Sequence, residues 1–166
     1  MTFNIHQKVF DRHANYLEEN AINYQQQLMK LLATSPEGQG LLNEGHDLGW
    51  ASMMLEFGIS YIGVTPPQLS PTNLEEIVFE IFPRKVSAPP EEAGEAILQL
   101  QAFWRFLQRE FGLKNAEACL KVVADKAIPR LEKEMGDPTN FGSAKSMVMM
   151  GTERGFDMSS PERMQA

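Results

Sequence analysis

The sequence predicts an all-α protein, an irregular bundle of about six or seven helices. Three observations predict it. Apolar residues recur at helical spacing along most of the chain, and no stretch alternates apolar with polar residues in the manner of a strand. Ser, Asn, Asp, Pro and Gly fall where such helices would begin and end.

Phe10, Ala14, Leu17, Ala21, Tyr24, Leu28 and Leu31 are separated alternately by four and three residues, a heptad seam opposite Glu19, Gln26, Gln27 and Lys30. Two alanines and a tyrosine make the seam weak, so it predicts a long helix laid across a globular core ahead of a coiled-coil dimer. Ser35-Pro36-Glu37-Gly38 is a helix start, with Ser35 as N-cap, proline at N1 and an acid in the first turn. Gly38, Gly40, Gly45 and Gly49 each cost about 1 kcal/mol against alanine inside a helix. They predict a short turn, then a better helix where Trp50, Met53, Met54, Phe57 and Tyr61 share a face. Residues 59–64 are strand-like but too few to decide, and are read as loop. Three prolines in residues 66–71 then forbid a continuous helix, because proline lacks an N–H and fixes φ. The expected organisation is an N-terminal helical segment (1–64) packed on the core, a proline-rich connection (65–71) and a C-terminal helical core (72–166).

Thr72 or Asn73 is placed to cap a helix over 74–82 with Leu74, Ile77, Val78 and Ile81 as its stripe, and Pro83 to stop it. Pro89, Pro90, Glu91 and Glu92 prepare the next start. Ala93, Ala96, Ile97, Leu100, Phe103, Trp104, Leu107 and Phe111 then hold one face over five turns, with Gly112 at C′. Asn115 is the expected cap of a helix with inner face Ala116, Cys119, Leu120, Val123, Ala127, Leu131 and Met135, broken near Ala127 by Pro129. After Gly136, Asp137-Pro138 opens a last helix with Phe141 and Ala144 on one side.

Fifteen basic and 22 acidic residues leave a formal charge of -7, which disfavours nucleic acid as a partner. No apolar run approaches the ~20 residues of a membrane span, and the first residues carry no basic start or apolar leader, so a cytoplasmic location is expected. The single cysteine, Cys119, excludes an intramolecular disulfide framework and an all-Cys zinc cage. It falls on an apolar face, where a small hydrophobe is the better reading than a nucleophile. His6 and His13 share a side of the first helix, His46 adjoins Asp47, and no Glu-x-x-His occurs. No metal, cofactor or catalytic residue is therefore expected, and no nucleophile elbow, phosphate loop or zinc helix is present.

Arg84 and Lys85 are adjacent cations after Pro83, suited to clamp a phosphate or carboxylate or to neutralise the carbonyl end of the preceding helix. Asn140, Gly142, Ser143 and Lys145 put small polar groups and a charge in a first helical turn, where backbone N–H groups lack partners. Six of the ten methionines follow position 134, and methionine adapts to irregular partners. The expectation is a non-catalytic helical protein-interaction or regulatory module, with a homodimer through the first helix as one form of it. The alternative is a small anionic ligand-binding protein, or an enzyme, with an inter-helix pocket of Arg84, Lys85, Trp104, Asn140 and Lys145.

Ile81-Phe82-Pro83-Arg84-Lys85-Val86, Phe103-Trp104-Arg105-Phe106-Leu107 and the run from Asp137 to Lys145 resemble a bacterial all-helical family with no assigned activity, across roughly residues 70–160. The resemblance implies a bacterial, cytoplasmic, all-α domain and transfers no catalytic residue. Some relatives carry an added Cys-rich metal-binding motif, which one cysteine does not supply.

Overall fold

The computed structural model describes residues 3–10, 18–142 and 145. Helix α1 (Glu18–Thr34) buries Ala21, Tyr24, Leu28 and Leu32, while Leu31 is exposed. The heptad spacing misplaces that last position because a straight helix repeats at 3.6 residues, and over three turns the buried stripe drifts onto Leu32. Phe10 lies before α1, and Ala14, Leu17 and His13 lie outside the described residues. His6 is exposed in a turn and shares no helix face. Residues Ile5 and Val9 are buried with α1: the Tyr24 hydroxyl donates to the Ile5 carbonyl at 2.7 Å, and the Phe3 ring stands edge-on to Tyr24 and Phe111.

Helix α2 (Pro36–Asn43) starts as expected, with Ser35 Oγ accepting the Gly38 N–H at 3.0 Å. Gly38 does more than loosen this start. It is buried against the α1 backbone, and a Cβ there would fall on the Leu32 carbonyl.

Helix α3 (Gly49–Phe57) runs directly into a π-turn (Gly58–Ile62) before Gly63 takes a left-handed conformation, so most of the expected loop is helical. The wider turn breaks the register of the α3 stripe: Trp50 and Met54 are buried, but Tyr61 is 53% exposed.

Helix α4 (Pro71–Glu76) is capped by Ser70 in place of Thr72 or Asn73. Ser70 Oγ accepts the Asn73 N–H at 3.0 Å and Asn73 Oδ1 accepts the Ser70 N–H at 3.1 Å, a reciprocal box that puts Pro71 at N1. Pro83 does not stop this helix. A π-turn (Ile77–Ile81) carries it into α5 (Phe82–Lys85), with the Phe82 N–H donating to the Ile77 carbonyl five residues back. Widening the ring just before the proline accommodates a residue that cannot join an ordinary α-turn. It also buries Ile77, Val78, Phe79, Ile81, Phe82 and Pro83 together. Since α4, the π-turn and α5 form one rod, the described chain contains seven helices and no strand.

A 3-10 turn (Pro90–Glu92) leads into α6 (Ala93–Phe111), the central helix, which packs against α2, α3, α7 (Ala116–Val122) and α8 (Ala127–Gly136). The expected face is buried except for Phe111 at its end, which is half-buried, and Gln99, Gln101, Ala102 and Phe106 beside it are buried too. Gly112 ends α6 at φ 60, where a side chain would be strained.

Asn115 occupies the N-cap of α7, as expected, but its side chain makes no capping bond; its Nδ2 donates to the Pro66 and Leu69 carbonyls at 2.8 and 2.7 Å, tying α7 to the proline-rich turn. The break before Pro129 separates α7 from α8, as expected. Asp137 caps only a 3-10 turn (Pro138–Asn140), not a full helix, and Gly142 lies outside any helix, its N–H donating to the Arg84 carbonyl at 2.9 Å. That bond to α5 replaces the helical one it would otherwise make. Ser143, Ala144 and the Met-rich run after them lie outside the described residues. One apolar cluster extends from Ile5 to Met135. Among the described residues no helix is long and apolar enough to cross a membrane.

Candidate functional site

The residues expected to line an anion pocket do not converge on one. Trp104 is fully buried in the core, its Nε1 donating to Met54 Sδ at 3.3 Å. Asn140 Nδ2 donates to the Glu134 carbonyl at 3.1 Å and to Glu134 Oε2 at 2.8 Å, closing the end of α8. Arg84 and Lys85 are exposed in the last turn of α5, where cations offset unpaired carbonyls, and Lys85 lies 5.7 Å from the Tyr61 ring centre. Lys145 is 2% exposed; its Nζ donates to the Pro83 carbonyl and sits 4.1 Å from the centre of the Phe141 ring. Burial lowers its pKa to about 8. Of the five, the structure brings Arg84 and Lys145 near one another, through the bonds of Gly142 and Lys145 to the α5 backbone.

A different set of charges meets in a groove between the α4–α5 rod and the α7–α8 pair. One lobe, of about 540 Å³, has Glu75, Glu76, Glu80 and Glu134 on its walls. The other, of about 400 Å³, has Lys121 and Lys126. Glu75, Phe79 and Arg130 belong to both. The Arg130 guanidinium stacks 3.9 Å from the centre of the Phe79 ring, and this fixes a planar cation at the junction of the lobes. Among the described residues, Glu75, Glu76, Glu80, Lys121, Lys126 and Arg130 form no ion pair, although charges of both signs border the same groove. Lys126, Arg130 and Glu134 repeat every fourth residue, a stripe of about 12 Å at 1.5 Å per residue that changes sign along its length. The stripe is visible in the sequence, but its approach to residues 75–80, some 50 positions earlier, leaves no local signal.

A polar cluster that sequence reasoning also missed joins the loop before α3 to α6. His46 Nδ1 lies 2.8 Å from Glu95 Oε2, and Gln99 Nε2 donates to Glu95 Oε1 at 2.9 Å and to Asp47 Oδ1 at 3.2 Å. Gln99 Oε1 accepts the Trp50 N–H at 2.7 Å and the Ala51 N–H at 3.3 Å, while Asp47 Oδ1 accepts that of Gly49 at 2.8 Å. These bonds satisfy the first-turn donors of α3 and make the cluster a structural clasp. Among the described residues no three His, Cys, Asp or Glu side chains are placed to hold a metal ion. Cys119 is fully buried, and burial pushes its thiol up to about 12, far from the thiolate a nucleophile requires.

Comparison with models of protein families, with curated proteins and with solved structures finds no match for this chain.

Proposed function

We propose that this chain is a non-catalytic interaction module of a bacterial cytoplasm, and that it holds a segment of a protein partner in the groove between the α4–α5 rod and the α7–α8 pair. The observation that carries this reading is the set of unpaired charges of both signs around the Phe79–Arg130 stack. Charges of both signs beside an aromatic floor match a partner segment with complementary groups, and electrostatic complementarity is how interfaces select partners. Burial of Cys119 keeps its thiol protonated, which leaves the one cysteine of the chain without a nucleophile's role.

Selection from a random peptide display library on the immobilised full chain tests the reading. Enriched peptides should lose binding to Arg130→Glu, a change at an exposed position that reverses the charge over the Phe79 ring. If no enriched peptide discriminates that variant from the native chain, the groove is not a docking site. A second reading, a small anion held by Lys121, Lys126 and Arg130 alone, draws on the basic lobe. Calorimetric titration with inorganic phosphate and with citrate tests it, and no heat from either removes it.

A further inference from the structure

Residues 3–10 meet the rest of the protein as a peptide meets a slot. Residues 3–9 form neither helix nor strand, and their burial alternates: Phe3, Ile5 and Val9 turn inward, while Asn4, His6 and Lys8 are exposed. Polar groups of the segment are tied within it. Asn4 Oδ1 accepts the His6 N–H at 3.0 Å, and the Asn4 carbonyl accepts the Gln7 N–H at 3.2 Å and Gln7 Nε2 at 2.9 Å. Helix α1 and the end of α6 build the slot. The buried Tyr24 donates its hydroxyl to the Ile5 carbonyl at 2.7 Å, and the Phe3 ring stands edge-on to Tyr24 and Phe111, with centres 5.1 and 6.1 Å apart. None of these residues lines the charged groove, so this surface stands apart from the one proposed above.

Ordering the segment costs backbone freedom at each of its residues. The return is apolar burial at Phe3, Ile5 and Val9 and the bond to Tyr24, which is of the same size, the condition under which a terminal segment opens locally. Seven residues, 11–17, join it to α1, and a link of that length reaches at most about 25 Å. We propose that residues 3–10 are an exchangeable arm, and that the slot joins two copies of this chain by taking the arm of one into the body of the other. A second copy carries the one segment whose fit to the slot is displayed. Its arm makes the same contacts in exchange, and two copies that trade arms fill both slots and close a two-fold dimer.

Two measurements on the full chain test the arm. The variant Ile5→Asp places a carboxylate where the arm is buried, which empties the slot. By nuclear magnetic resonance, the blocked peptide Phe-Asn-Ile-His-Gln-Lys-Val-Phe should bind this variant saturably, with amide shifts in α1 and at the end of α6. It should bind the native chain at least about tenfold more weakly, because the chain's own arm holds the slot. Sedimentation then identifies the source of the arm. A short link keeps the resident arm at an effective concentration of about 1 mM, so the native chain should dimerise as its own concentration approaches that value, and Ile5→Asp should stay monomeric. An Ile5→Asp chain that loses its helical circular dichroism overturns the proposal, since residues 3–10 are then part of the core and not an arm on it. So does a folded Ile5→Asp chain that ignores the peptide. A native chain that stays monomeric, or an Ile5→Asp chain that dimerises equally well, overturns exchange between copies.

Discussion

Replacing Gln99 by leucine removes four hydrogen bonds at a position that is 1% exposed. The two that matter most are accepted from Trp50 and Ala51, whose N–H groups lie in the first turn of α3 and have no partner inside the helix. A buried N–H left without an acceptor costs about 1–3 kcal/mol. The Ala51 bond, at 3.3 Å, belongs at the low end of that range. Asp47 keeps the Gly49 N–H and Glu95 keeps His46, so the carboxylates are not stranded. Leucine regains about 1 kcal/mol through its apolar surface, which leaves a net loss of about 3 kcal/mol. For a chain of this size that is a fall of roughly 6–12 °C in melting temperature. Urea unfolding followed by far-ultraviolet circular dichroism, with calorimetry alongside, measures both quantities. Gln99→Glu is the companion. It keeps the acceptor for Trp50 but sets a carboxylate against Glu95 and Asp47, so it should be destabilised at neutral pH and recover toward pH 4, where carboxyls protonate. A loss below about 1 kcal/mol for Gln99→Leu, or a Gln99→Glu chain as stable as the native one at pH 7, refutes the clasp.

Gly38→Ala should destabilise the protein by several kcal/mol, because the new Cβ meets the Leu32 carbonyl, whereas Gly40→Ala, with nothing within 4 Å of its Cβ, should stabilise α2 by up to about 1 kcal/mol. Paired melting curves check this, and equal effects refute the close approach. Lys145 has its pKa lowered to about 8 by burial, so between pH 8 and its ordinary 10.5 the unfolded chain binds more protons and stability due to this group rises with pH. The effect is read as the difference between the native chain and Lys145→Met, which cancels the opposing contributions of Cys119 and Tyr24, both raised by burial. A difference that does not grow from pH 8 to 10 counts against the burial of Lys145. Cys119 should react with Ellman's reagent only as fast as the protein opens, and at full speed in denaturant. Immediate labelling of the native chain contradicts its burial.

The fold was legible where local physics decides it. The α6 stripe, the Ser35 cap, Gly112 at C′ and the break at Pro129 all follow from spacing and backbone chemistry, and they stand where the sequence places them. The misreadings came from longer-range effects. Pro83 signals a stop by its own chemistry, yet burial of Ile77, Val78, Phe79, Ile81 and Phe82 outweighs that preference once a π-turn absorbs the proline. Asn115 stands at the N-cap of α7, but its amide is fixed by Nδ2 donating to carbonyls 46 and 49 residues away, and Oδ1 makes no capping bond. Gln99 and Gln101 read as polar positions, and only the tertiary structure supplies the buried groups they serve. The candidate site was less legible still. Adjacent cations such as Arg84 and Lys85 attract notice in a sequence, whereas the groove is assembled from ordinary helix-surface charges on separate segments.

The position of α6 also bears on how the chain acquires its structure during synthesis. The helix is packed on by α2 and α3, which precede it in the chain, and by α7 and α8, which follow it. Helices α2 and α3 emerge from the ribosome with the faces they turn to α6 still uncovered, and wait for residues 93–111 to complete their packing. At about 5–20 residues per second, the central helix takes a few seconds at most to follow, a short interval of exposed apolar surface. A ribosome stalled just after residue 92 would prolong that interval, and nascent chains arrested there should recruit chaperones more strongly than chains arrested once α6 has cleared the exit tunnel.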